Sequence, residues 1–84
     1  MNSKQRENLR AIYEKPTRAD IRWADIISVF RALGAEIEQG HGSRVGISLR
    51  GKRAVFHQPH PKPVAKKGLV DNVRAFLQSV RVKP

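Results

Sequence analysis

The stretch AEIEQGHGSRVGISLRGKRAVFH, residues 35–57, decides the fold class. Apolar side chains recur at every second position, first at Ala35 and Ile37, then at Val45, Ile47 and Leu49, then at Ala54 and Phe56. Period two marks strands with one buried face. Gly40-His41-Gly42 makes a flexible turn between the first strand and the second. Gly51-Lys52 fits a two-residue hairpin turn with glycine at its first central position. That turn would pair Arg50 with Arg53, Leu49 with Ala54, Ile47 with Phe56 and Val45 with Gln58. In this register the apolar residues share one face, as a half-buried sheet requires. On the other face His57 stands opposite Gly46, whose missing side chain leaves open space above the sheet. Arg44 and Ser48 are then diagonal neighbours of His57, roughly 7 Å away.

Upstream the period lengthens. Trp23, Ile26, Ile27, Phe30 and Leu33 follow the spacing of one helix face, which predicts a helix over residues 22–33. Asp25 sits in its first turn, where it complements the helix dipole, and Gly34 can take the left-handed conformation that ends it. A shorter helix from Ser3 to Glu14 carries a thin stripe of Leu9, Ile12 and Tyr13 and is closed by Pro16. Downstream, Gln58-Pro59-His60-Pro61-Lys62-Pro63 cannot be a central strand, because proline donates no ladder hydrogen bond, so it reads as an extended loop. Lys66-Lys67-Gly68 leads into a last helix with Leu69, Val73, Phe76, Leu77 and Val80 as its stripe and Asp71 in its first turn. Arg81-Val82-Lys83-Pro84 is expected to fray.

Two helices on one face of a three-stranded antiparallel sheet make an α+β sandwich, here with a short extra helix in front. The order α-β-β-β-α is that of double-stranded-RNA-binding domains. Residues 1–20 read as an N-terminal extension and residues 21–84 as the main domain. Trp23, Phe30, Phe56 and Phe76 fall on core-facing positions, which leaves Tyr13 as the one free aromatic. Recognition by aromatic stacking is therefore disfavoured, and recognition by shape and phosphate contact favoured.

The chain has 84 residues and a formal charge of +10, concentrated in one region. Residues 1–38 carry +1 and residues 71–84 carry +2. Residues 39–70 carry +7 and no acid, and they hold all three histidines. Solubility gives no reason to exclude every acid from 32 consecutive residues; a phosphate-binding surface does. The length allows one modest core and no cofactor cleft between lobes. With 39% hydrophobic residues, wholesale disorder is not expected. The absence of cysteine excludes disulfides, thiolate catalysis and Cys-ligated zinc. No apolar run is long enough for a membrane span or a signal peptide, so the expectation is a cytoplasmic protein.

Lys66 and Lys67 stand at a helix N-terminus, where backbone N–H groups and the dipole also favour an anion. Imidazole titrates near neutrality and can move a proton during attack of a ribose 2′-OH on its own phosphate. That cleavage needs a base, an acid and a cation, but no cofactor and no metal. His41, His57, His60 and Arg44 are the candidates. Each histidine also has a plain structural reading, and their spacing matches no zinc pattern.

From Trp23 to Val80 the chain resembles the HicA toxins of bacterial type II toxin–antitoxin systems. The resemblance rests on the helix from Asp25 to Gly34, on Gly42-Ser43-Arg44, on the hairpin around Gly51, on Pro59-His60-Pro61, on Lys67-Gly68 and on the last amphipathic helix. It implies a fold like the double-stranded-RNA-binding domain, a metal-independent mRNA-cleaving activity and a HicB-type antitoxin partner, with the free protein monomeric. The family's Gly-Ser-His motif is matched at Gly42 and Ser43, but Arg44 stands where the family has its catalytic histidine. Arginine is no general base at neutral pH. Two readings follow. Either His57 has taken over proton transfer, with Arg44 stabilising the phosphorane and His41 assisting, or the protein is a non-catalytic RNA-binding module. RNA contacts are expected from Ser43, Arg44, Lys52, His60, Lys62, Lys66 and Lys67. A domain that docks an acidic protein is a third, less favoured reading.

Overall fold

The period-two segments pair into one sheet, and the amphipathic helices cover its apolar face. A computed structural model describes residues 1–84. In chain order the elements are α1 (Ser3–Tyr13), β1 (Ile21–Arg22), α2 (Trp23–Ala32), β2 (Glu36–Gln39), β3 (Arg44–Leu49), β4 (Lys52–His57), β5 (Val64–Ala65) and α3 (Lys67–Ser79). Strands β2, β3 and β4 form an antiparallel sheet in that order. Val45, Ile47, Leu49 and Phe56 point into the core, where Phe30 of α2 and Phe76 of α3 meet Phe56. This is the expected α+β architecture. Strands β1 and β5 add a two-stranded ribbon that sequence did not reveal, since two residues carry no readable period.

The hairpin register differs from expectation. Leu49 pairs with Lys52, Ile47 with Ala54, Val45 with Phe56 and Arg44 with His57, a shift of two residues. The turn residues are Arg50 and Gly51, at φ +51° and +80°. Positive φ at both central positions is the type I′ geometry that suits strand twist, and glycine takes the second place rather than the first. An arginine there is costly by itself, but Arg50 is tied elsewhere. Its Nη1 donates to the carbonyl of Val80 at 2.8 Å, and Lys52 Nζ donates to that of Ser79 at 3.3 Å. Both cations lie against the negative end of the α3 dipole. A two-residue shift preserves the faces, so the apolar side chains still share one side. His57 now faces Arg44 directly instead of Gly46, and Gly46 faces Val55.

The helix ends explain the other differences. Asn2 and Gln5 form a reciprocal capping box that starts α1, and α2 ends on Gly34 at φ +84°. The last helix ends by the same device with an arginine. Arg81 sits at φ +61°, its N–H bonds Gln78 and the Val82 N–H bonds Leu77. The tail therefore does not fray through Val82, which is buried. Tyr13 is not free either. Its hydroxyl donates to the Val82 carbonyl at 2.5 Å, and burial, partly opposed by the Arg74 charge, pushes it above the usual phenol range. Asp71 falls in the second turn of α3, because the helix starts at Lys67. Val29 and Val70, outside the expected stripes, are fully buried, whereas Leu69 and Phe76 are half-buried.

Residues 1–20 are fastened to the core. Leu9, Ala11 and Ile12 belong to the same hydrophobic cluster as the sheet. Arg74, 8% exposed, reaches across from α3 and donates to the carbonyls of Ile12 and Glu14, to Thr17 Oγ1 and to Asp71. Removing it would strand those carbonyls. We expect Arg74→Ala to lower the unfolding free energy by about 2–4 kcal/mol in urea. The Thr17 hydroxyl, with help from Arg74, holds the Asp71 carboxyl below the usual carboxylate range. A lowered folded-state pKa stabilises at pH above the unfolded value, about 4, and that gain is lost as pH falls through the folded value. The acid limb of the stability profile should therefore be shallower in Asp71→Asn, as measured by denaturation across pH.

Candidate nucleic-acid interface

Strand alternation places Phe56 inward and His57 outward, so burial of the first orients the second. The turn before β3 bends Ser43 towards β4, and the Gln58 N–H bonds the Ser43 carbonyl at 2.7 Å. This backbone bond extends the hairpin by one step and brings Ser43 Oγ to 3.2 Å from His57 Nδ1. With Nδ1 engaged, Nε2 is the nitrogen left for other work. Arg44 lies directly across the strand pair from His57 and has no carboxylate partner within 4 Å.

Two open recesses flank this pair. One is lined by Gly42, Ser43, Gln58, Pro59 and His60. The other lies on the outer sheet face and includes His41, Arg44, Gly46, Arg53, Val55 and Glu38. The fold thus gathers Ser43, Arg44, His57, His41 and His60 around one end of the sheet. It does not bring Lys52 there, because Lys52 sits at the hairpin turn against the end of α3. Lys62, Lys66 and Lys67 are exposed and unpaired, and they line neither recess. Lys66 is the N-cap of α3 and Lys67 its first residue, and no side chain caps that end. The space above Gly46 is not open as expected, since the Arg53 guanidinium occupies it.

Sequence reading missed Glu38, Arg53, Val55 and Gln58. The outward parity of Arg53 and Val55 was readable, but which side chains they meet depends on the register. Of the six acids elsewhere, Glu14, Asp20 and Asp71 are engaged. Arg18 is held by Glu14 and Asp20, which lowers the Asp20 pKa through its bond to Arg18 and raises that of Arg18. No group of three or more His, Asp or Glu side chains is placed to hold a metal ion, and no helix is long and apolar enough to cross a membrane.

A family model described as the HicA toxin of bacterial toxin-antitoxin matches residues 23–79. No curated protein and no solved structure matches the chain significantly.

The Ser43–His57 contact has a spectroscopic consequence. In Ser43→Ala the ring-nitrogen NMR shifts of His57 should move, because its tautomer balance loses the Nδ1 partner, while those of His41 and His60 stay in place.

Proposed function

The chain belongs to the HicA toxin family of bacterial toxin–antitoxin systems, and on that footing we propose that it is an mRNA-cleaving endoribonuclease that works without a metal. The observation that carries this reading is the pairing of His57, held at Nδ1 by Ser43, with the unpaired Arg44 across the strand. His57 Nε2 takes the proton from a ribose 2′-OH as the 2′-oxygen attacks the adjacent phosphorus. Arg44 meets the negative charge that builds on the non-bridging oxygens. His41, in the same recess as Arg44, gives a proton to the departing 5′-oxygen. One O2′–P bond forms and one P–O5′ bond breaks, leaving a 2′,3′-cyclic phosphate and a 5′-hydroxyl. His60, Ser43 and the unpaired Lys62, Lys66 and Lys67 hold the neighbouring phosphates. Lys52, engaged with α3, contributes only to the general field.

A second reading, a non-catalytic RNA-binding module, draws on Arg44 standing where the family resemblance puts a histidine. One assay separates them. EDTA-treated protein is incubated with single-stranded RNA and the product ends are identified. Cyclic phosphate ends support cleavage; bound but intact RNA supports the module. On the first reading His57→Ala slows cleavage about 10²–10⁴-fold and Arg44→Ala about 10²–10³-fold.

A toxin of this family has an antitoxin as its partner. We propose a HicB-type protein that covers the basic face of a cytoplasmic toxin monomer. Expression should arrest growth, co-expression of the neighbouring gene's product should relieve the arrest, and light scattering should give one chain per particle for the free protein.

A further inference from the structure

The outer face of the sheet holds an arrangement that phosphate binding leaves unused. Its side chains form rows across the strands. Arg44 and His57 make the row at the catalytic end, Gly46 with Glu38 and Val55 on either side makes the next, and Ser48 with Glu36 and Arg53 makes the third. Successive rows are about 7 Å apart, the rise of two strand residues. Arg53 does not stay in its row. It leans back over Gly46 and its Nη2 donates to Glu38 Oε1 at 2.8 Å. The guanidinium fills the space that any Cβ at position 46 would need. Beside it, Val55 is 49% exposed and offers an apolar surface.

An ion pair this exposed, with 52% and 76% of its two side chains accessible, adds little to stability. It does hold a flat group still. Guanidinium is planar and weakly hydrated, and nucleobases stack on it. An arginine free on the surface would lose rotamer freedom on stacking; one already held by a carboxylate over a glycine has less to lose.

We propose that Arg53, pinned over Gly46 by Glu38, is the stacking platform for an unpaired RNA base next to the phosphate at Arg44 and His57. This inference rests on the RNA reading above and adds to it a base-stacking subsite, which takes only an unpaired base, because a base inside a duplex has no free face. It also supplies the stacking partner that the aromatic residues, committed to the core, do not.

The test is equilibrium binding, by fluorescence anisotropy, of a 2′-O-methyl single-stranded oligonucleotide, which lacks the attacking hydroxyl and cannot be cleaved, with its duplex as comparison. The wild-type protein should prefer the single strand. Arg53→Lys keeps the charge and removes the plane, and should weaken single-strand binding about five- to tenfold. Gly46→Ala, whose Cβ displaces only the flexible end of Arg53, should do the same. Glu38→Ala frees Arg53 while removing a negative charge, so the platform requires weaker binding and simple electrostatics requires tighter. Unchanged affinity in Arg53→Lys together with tighter binding in Glu38→Ala overturns the platform and leaves RNA binding and cleavage standing. A wild-type protein that binds neither oligonucleotide overturns the RNA reading itself, and the platform with it. Thermal melts show whether each variant is folded.

Discussion

Three phenylalanines hold the layers together. Phe30 of α2, Phe56 of β4 and Phe76 of α3 meet pairwise with ring centroids 6.0–6.2 Å apart, tilted or edge-on for the most part. Such rings bury large apolar areas and gain further from their mutual geometry. Because one ring comes from α2, one from α3 and one from the sheet, this contact fixes which face of the sheet is covered. The composition of the outer face follows from it. Phe56 cannot leave the core, so His57 beside it must face solvent, and its cross-strand neighbour Arg44 must share that side.

Charge is sorted by a second constraint. Two acids of the first third, Glu14 and Asp20, hold Arg18 of their own segment, and Asp71 shares the buried Arg74. Arg50 and Lys52 are bound to carbonyls at the end of α3. In the acid-free stretch Arg44, Lys62, Lys66 and Lys67 remain unpaired. The other unpaired cations, such as Lys4, Arg10, Arg22, Arg31 and Lys83, belong to segments of nearly balanced charge or to the C-terminus. The net charge of +10 is therefore a poor measure of the binding surface, since several of its cations serve the fold. Arg74 is the extreme case. It is a buried arginine whose role is to tie residues 12–17 to the last helix, and no periodicity could have distinguished it from a surface arginine.

Much was legible in advance wherever the decision is local. Burial on one side imposes period two on Val45, Ile47 and Leu49 and period 3.6 on Trp23, Ile26 and Phe30, so element types and faces could be read directly. The acid-free region, the histidines within it and the outward parity of His57 and Arg44 came from the same kind of evidence. What escaped were choices between locally equal options. Either Arg50-Gly51 or Gly51-Lys52 makes an acceptable turn, and both keep the apolar face intact. The carbonyls of Val80 and Ser79, thirty and twenty-seven residues away, select the first. Sequence by itself determined the layers, the faces and the charge. Tertiary structure alone decided the register, and hence that His57 faces Arg44 and that Arg53 lies over Gly46, because those pairings are set by contacts between segments far apart in the chain.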